Sequence, residues 1–263
     1  MSHAAEPEAA PAIFVSTGAC FELPMVDVLT VIADAGADGV ELLMVPELDH
    51  FSEVQIAWWF EGYEGRRNLH APFRMAEVSS PKRREECRRV AELAGGIGAK
   101  LLVLHPAVSA DPAIVDSETQ AAVETLRQWL PDDCPVTLEN LPAPESSDVR
   151  HGLADPDRVA ALARACGCRL TLDTTHLATA DLRILESHKR HADLIANVHL
   201  SDYAEPHQHL LPGRGELPLR QYLHFVGRSP SPPCVTVEAA AQHVADAGKA
   251  LRWAVSYVRE GLA

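Results

Sequence analysis

Lys100-Leu101-Leu102-Val103-Leu104-His105 is an apolar run too short for a helix, and it ends on a histidine. The residues before it, Pro81 to Ile97, carry helix signals, with proline in the first turn and Gly95, Gly96 and Gly98 at the close. The residues after it, from about Asp116 to Leu130, return to helical spacing. A strand set between two helices is the unit of a parallel sheet, because parallel neighbours need a crossover connection.

The unit recurs in both directions. Toward the N-terminus, Ile13 to Thr17, Gly39 to Leu43 and Asn68 to His70 read as strands, with helices at Leu23 to Ala35 and Ser52 to Glu61. Toward the C-terminus the strands are Pro135 to Glu139, Arg169 to Asp173, Ile195 to Leu200 and Cys234 to Glu238. Helices are expected at Asp155 to Cys166, near Asp181 to Asp193, just after Pro218 and at Val244 to Glu260. Near-continuous apolar strands separated by helices imply a parallel sheet covered on both faces. Eight such units predict an α/β protein with a single (β/α)8 TIM barrel over residues 12–263. Residues 1–11, rich in Ala, Glu and Pro, read as a flexible N-terminal tail. No Gly-x-Gly-x-x-Gly follows the first strand, which removes the main support for a dinucleotide site.

Composition narrows the function classes. The chain has 263 residues, of which 47% are apolar and only 5% aromatic, so a large core must rest on aliphatic side chains. A formal net charge of −14 argues against a nucleic-acid partner, because phosphate binding draws on clustered Lys and Arg. Six scattered cysteines without a C-x-x-C pair read as reduced thiols of a cytoplasmic protein. No signal peptide is evident, and no apolar stretch approaches the roughly 20 residues that cross a bilayer.

Chemistry is suggested by position. His70, His105, Glu139, Asp173, His199 and Glu238 each terminate an expected strand. In a parallel barrel those ends converge on one rim, where sites of this architecture are built. Imidazole and carboxylate without thiolate suit Zn, Mn, Fe, Co or Mg. His176 follows Asp173 by one short turn, and Asp202, Glu205, His207 and His209 lie on a polar loop able to fold over the rim. Glu41 ends the second strand and reads as a group that orients a ligand or contacts substrate. Arg214, between Gly213 and Gly215, reads either as a substrate contact or as part of a tight turn. Phe14, Phe73 and Trp58 or Trp59 are candidate apolar walls. His50, His151, His188, His191, His224 and His243 fall away from strand ends and are expected at the surface or the core edge.

Leu69-His70-Ala71-Pro72, Leu104-His105-Pro106, Leu138-Glu139-Asn140, Leu172-Asp173-Thr174-Thr175-His176, Val198-His199-Leu200-Ser201-Asp202 and Pro212-Gly213-Arg214-Gly215-Glu216 come in an order that resembles the xylose isomerase-like barrel superfamily. That grouping holds sugar and sugar-phosphate isomerases and epimerases together with endonuclease IV-type apurinic-site nucleases. In the first branch the resemblance implies one divalent ion, Mn, Mg or Co, at Glu139, Asp173, His199 and Glu238. The two glutamates double there as catalytic acid and base. In the second branch it implies a multinuclear zinc site that adds His70, His105, His176, His207 and an aspartate two residues before His207. This chain has Glu205 at that place, followed by Pro206, which departs from the nuclease pattern.

The resemblance therefore implies a metal-dependent isomerase or epimerase acting on a sugar or sugar phosphate by proton transfer through a metal-stabilised enediolate. His70, His105, His176, Arg214 and Glu41 are its expected substrate contacts. The alternatives are a zinc-dependent apurinic-site phosphodiesterase and a catalytically silent sugar- or metal-binding barrel. The expected partner is a small sugar-derived molecule, with neither nucleic acid nor membrane, and barrels of this kind often form homo-oligomers through helix faces.

Overall fold

The structure, a computed structural model, describes residues 10–20, 22–77, 80–143, 152–241 and 246–263. Eight parallel strands close into a barrel: β1 (Ile13–Ser16), β2 (Gly39–Leu43), β3 (Arg66–His70), β4 (Leu102–Leu104), β5 (Val136–Glu139), β6 (Arg169–Asp173), β7 (Ile195–Leu200) and β10 (Cys234–Val237). β10 pairs with both β7 and β1, which completes the ring. A two-stranded antiparallel hairpin, β8 (Asp202–Ala204) and β9 (His207–Leu210), stands between β7 and the following helix.

The helices are α1 (Met25–Asp34), α2 (Glu53–Trp59), α3 (Ser80–Ile97), α4 (Pro112–Leu126), α5 (Pro156–Cys166), α6 (Thr174–Thr179), α7 (Ile184–His191), α8 (Leu219–Gly227) and α9 (Ala247–Leu262). Their starts are set by local chemistry. Ser52 and Gln55 form a reciprocal capping box on α2. Asp111 and Asp155 cap α4 and α5, each followed by proline at the first helical position. The Asp111-Pro112 signal places the start of α4 before the expected Asp116, and the Thr174–Thr179 turn precedes the helix expected from Asp181.

The strands obey period two with an unexpected polarity. Leu138, Leu170, Leu172, Val198, Val235 and Val237 are fully buried members of the aliphatic core. The alternate residues Glu41, Asn68, Thr137, Thr171, Asn197 and Thr236 are equally buried and polar. Asn197 on β7 donates to Glu41 Oε2 on β2 at 3.2 Å, and these strands are not neighbours, so the bond runs through the bore. Thr236 Oγ1 reaches the same oxygen at 3.3 Å. These strands are thus not near-continuous apolar runs: aliphatic positions alternate with buried polar ones, and Glu41, Asn197 and Thr236 are hydrogen-bonded across the bore.

All six cysteines are free. Among the described residues no helix is long and apolar enough to cross a membrane. The expectations for residues 1–9, His151, His243 and the Val244 start of the last helix lie outside the described residues.

Candidate metal centre

Glu139 is the hub of the rim. Its Oε2 lies 3.2 Å from His70 Nε2, 3.4 Å from His105 Nε2 and 3.3 Å from His199 Nδ1. Its Oε1 lies 3.3 Å from His176 Nδ1. His199 Nδ1 is also 2.9 Å from Glu238 Oε2. Each side chain arrives from a different strand end, as the barrel geometry requires. His105 and Glu238 stand one residue past β4 and β10, and the Glu238 N–H still bonds to Leu200 O at 3.1 Å.

His176 is delivered differently. The Asp173 side chain caps α6 by accepting the His176 N–H at 2.6 Å, so the strand end and the short helix are one unit. Asn140 exchanges two bonds with the Asp173 backbone, donating to its O at 3.2 Å and accepting its N–H at 2.8 Å. The aspartate backbone is held before any ligand arrives.

Two observations test whether these residues fit a cation. Glu139, Asp173, His199 and Glu238 each place one donor atom so that all lie within 4.8 Å of one another. Glu139 Oε1, Asp173 Oδ2, His199 Nδ1 and Glu238 Oε2 are buried yet have no hydrogen-bond partner. Some of these atoms lie within ion-pair distance, but out of hydrogen-bonding alignment. An unpaired buried polar atom costs about 1–3 kcal/mol, more for a charged group, so three oxygens and a nitrogen together call for something between them. The second observation is a tautomer. His70 Nδ1 lies 2.7 Å from the Ala71 carbonyl oxygen, which only accepts, so Nδ1 carries hydrogen. In the neutral ring Nε2 then turns a lone pair toward Glu139 Oε2, and only a proton or a cation reconciles that pair. The residues fit a divalent ion of the oxygen- and nitrogen-binding kind.

The electrostatics agree. Burial pushes Glu139 up, but the imidazoles of His199 and His105 outweigh it and hold the carboxyl well below its usual range. Glu238 is pushed up by burial and brought down by His199, ending at about 2. Burial also opposes charge on His199, yet Glu238, Glu139 and Glu41 raise it well above an ordinary histidine. Asp173 goes up, chiefly through burial. Glu139 and Glu238 are held down chiefly by His199, and a divalent cation among them would favour their ionised forms in the same sense.

Glu41 lies beneath the cluster. Its Oε2 is held by Asn197 and Thr236, and its Oε1 sits 2.9 Å from His199 Nε2. It is fully buried behind His199 and does not line the cavity described next.

Above the cluster a cavity of about 390 Å³ opens to solvent. Glu139, Glu238, His105, His176 and His209 line its floor, and Phe73, Val108, Leu141 and Pro142 its walls. His209, on β9, packs edge-on against His176 with ring centroids 5.3 Å apart. Phe73 stacks on His105 at 5.2 Å. Arg74 and Glu77, which the sequence reading did not single out, also line the mouth. Of the other candidate walls, Phe14 is buried in the barrel and Trp58 is exposed, and neither lines this cavity.

Several of the candidate residues lie outside this cluster. Glu205 and His207 are exposed at the turn of the β8–β9 hairpin, and neither joins a metal-competent group among the described residues. His209 occupies the place next to His176 instead. Arg214 is exposed, with its guanidinium 5.6 Å from the Trp253 ring centroid, and it does not line the cavity. Asp202 is no rim ligand: its carboxylate accepts the N–H groups of Tyr203, Gly213 and Leu217 at 2.9, 2.9 and 3.0 Å. The Pro212–Glu216 motif is therefore a loop tied to Asp202. A Cβ on Gly215 would stand 2.5 Å from the Tyr203 carbonyl oxygen, which explains the glycine. His188, expected at the surface or the core edge, is buried, with Nδ1 2.7 Å from the Tyr222 hydroxyl.

A closed parallel barrel with a histidine–carboxylate cluster at the C-terminal rim defines the class of protein. The chain belongs to the xylose isomerase-like TIM-barrel family, whose model matches residues 29–260. No curated protein matches the chain in sequence. Among solved structures it is similar to the apo 3-keto-D-glucoside 4-epimerase of E. coli, with TM-score 0.75 and 15% identity over 95% of this chain and 99% of that one. It is also similar to the D-allulose 3-epimerase of a Methylomonas species in complex with D-allulose, with TM-score 0.73 and 12% identity over 95% and 97% of the two chains. An AP endonuclease, family 2, from Brucella melitensis matches with TM-score 0.75 and 16% identity over 94% and 99%.

Proposed function

We propose that this protein is a divalent-metal-dependent sugar isomerase or epimerase. The observation that carries the reading is the pair Glu139 and Glu238, two carboxylates that share His199 Nδ1 and both line the cavity. Glu139, Asp173, His199 and Glu238 would hold the ion, which when bound supplies Lewis acidity toward a substrate carbonyl oxygen. One of the two glutamates removes the proton on the carbon next to that carbonyl, and the other returns a proton to the opposite face or the adjacent carbon. His105, His176 and His209 offer ring nitrogens to the hydroxyl groups of a bound sugar, and Phe73 covers its apolar side. The similarity to sugar epimerases, one of them holding D-allulose, supports the reading without fixing the substrate.

The test is deuterium exchange. Ketohexoses incubated in D₂O with metal-loaded protein are expected to gain deuterium at the carbon beside the carbonyl, and the gain should vanish after chelation. No exchange across a ketose and ketoglycoside panel would reject the reading.

A zinc phosphodiesterase of apurinic-site type is the second reading, and one observation favours it. His70, His105 and Glu139 form a further group of ligand atoms within 4.8 Å, with Glu139 common to both groups. Cleavage of abasic duplex DNA by zinc-loaded protein would establish it. The exposed Glu205 and His207 and the net charge of −14 weigh against it.

A further inference from the structure

A second cavity of about 430 Å³ adjoins the site and shares Phe73 and Arg74 with it. Its remaining apolar lining comes from Met44, Val45, Pro46, Pro72 and Met75, on the segments that follow β2 and β3. Asp49 and Glu86 are the acidic members of its lining. Phe73 is the partition. It is 50% exposed, yet its position is fixed by His105 stacked at 5.2 Å and by His70 edge-on at 5.4 Å. Such a ring is unusual as mere surface, because it packs on the two site histidines and lines both cavities.

Charge at the partition is already neutralised. Arg74 is the one Lys or Arg among the described residues that line the site cavity, and its Nε donates to Glu77 Oε2 at 2.9 Å. Apart from this pair, the acidic groups at the cavity floor are Glu139 and Glu238, with Asp173 beside them. In the second cavity Arg74 is again the one cation among the described residues, and an anionic substituent placed there would face Asp49 and Glu86.

From these features we propose that the second cavity is a subsite for an uncharged, apolar substituent on the sugar. The substrate is then a keto sugar carrying a glycoside-like substituent, with its carbonyl end over the metal centre and an aryl or alkyl group beyond Phe73. Free and phosphorylated monosaccharides are poorer ligands. This rests on the sugar reading above, and adds to it the substituent and the residues that select it.

The experiment measures binding of methyl and phenyl 3-keto-β-D-glucopyranoside (the methyl and phenyl glucosides below), D-glucose and glucose 6-phosphate to manganese-loaded protein by calorimetry. A crystal soaked with phenol alone is compared. The phenyl glucoside is expected to bind on the order of tenfold tighter than the methyl glucoside, the return for burying one ring. That ratio should fall to about one in Val45→Asp and in Pro46→Glu; the second position is exposed, so its variant folds even if the first does not. Glucose 6-phosphate should bind no better than glucose. A ratio near one in the wild type, or one that survives both substitutions, overturns the subsite, as does a preference for the phosphate. Phenol absent from the groove while methyl glucoside binds overturns the subsite and keeps the sugar reading. Phenol in the groove with neither glucoside bound keeps the apolar pocket and overturns the sugar reading.

Discussion

Glu41 Oε1 lies 2.9 Å from His199 Nε2, at the base of the barrel bore and on the side of the ring away from Glu139 and Glu238. A carboxylate there favours hydrogen on Nε2 and leaves Nδ1 to face the cluster, the arrangement a metal-binding imidazole needs. Glu41→Gln is expected to weaken manganese binding by about 10–100-fold while the thermal melt stays cooperative. Calorimetric titration of the apo protein checks this, and unchanged affinity would remove Glu41 from the account.

Glu238→Gln alters one rim oxygen and preserves shape. Exchange of the substrate proton should fall by roughly 10²–10⁴-fold with the fold intact by circular dichroism. Exchange at the wild-type rate would take Glu238 out of the mechanism.

His199→Ala should lower metal occupancy, whereas His188→Ala should not. The second variant instead loses the bond to Tyr222 and leaves a small void, at a cost of about 1–3 kcal/mol in chemical denaturation. Equal metal content in the two variants would mean that the ligand assignment is wrong.

His188 also gives a pH signature away from the metal. Burial lowers it from 6.5 to about 4, so between those values the unfolded chain binds a proton that the folded chain does not. The contribution is full above about pH 6.5 and is lost as pH falls toward 4, by up to about 3 kcal/mol. Denaturation of wild type and His188→Gln across that window checks it, with the shallower slope expected in the variant.

Asp202→Ala removes the carboxylate that accepts the backbone N–H groups of Tyr203 and, on the following loop, of Gly213 and Leu217. A loss of about 2–4 kcal/mol is expected, with metal content unchanged. Lost metal with unchanged stability would return Asp202 to the rim.

The rim was legible because a parallel barrel carries strand ends from the whole chain to one place. His70, His105, Glu139, Asp173, His199 and Glu238 could be picked out by position alone. The bore was not legible, since Asn68, Thr137, Thr171, Asn197 and Thr236 sit inside short runs where one polar residue barely interrupts the apolar pattern. Nor was the β8–β9 hairpin, whose polar residues give no alternation of hydrophobicity. Its geometry decides that His209 reaches the site while His207, paired with Ala204 at the turn, stays outside. Arg214 stayed open between two readings because flanking glycines look alike in a binding loop and in a loop held by an aspartate.

The shared cation is tested most directly by anomalous diffraction from crystals soaked in manganese. One peak is expected about 2.0–2.2 Å from donor atoms of Glu139, Asp173, His199 and Glu238. A peak elsewhere, or none among these four side chains, would contradict the account.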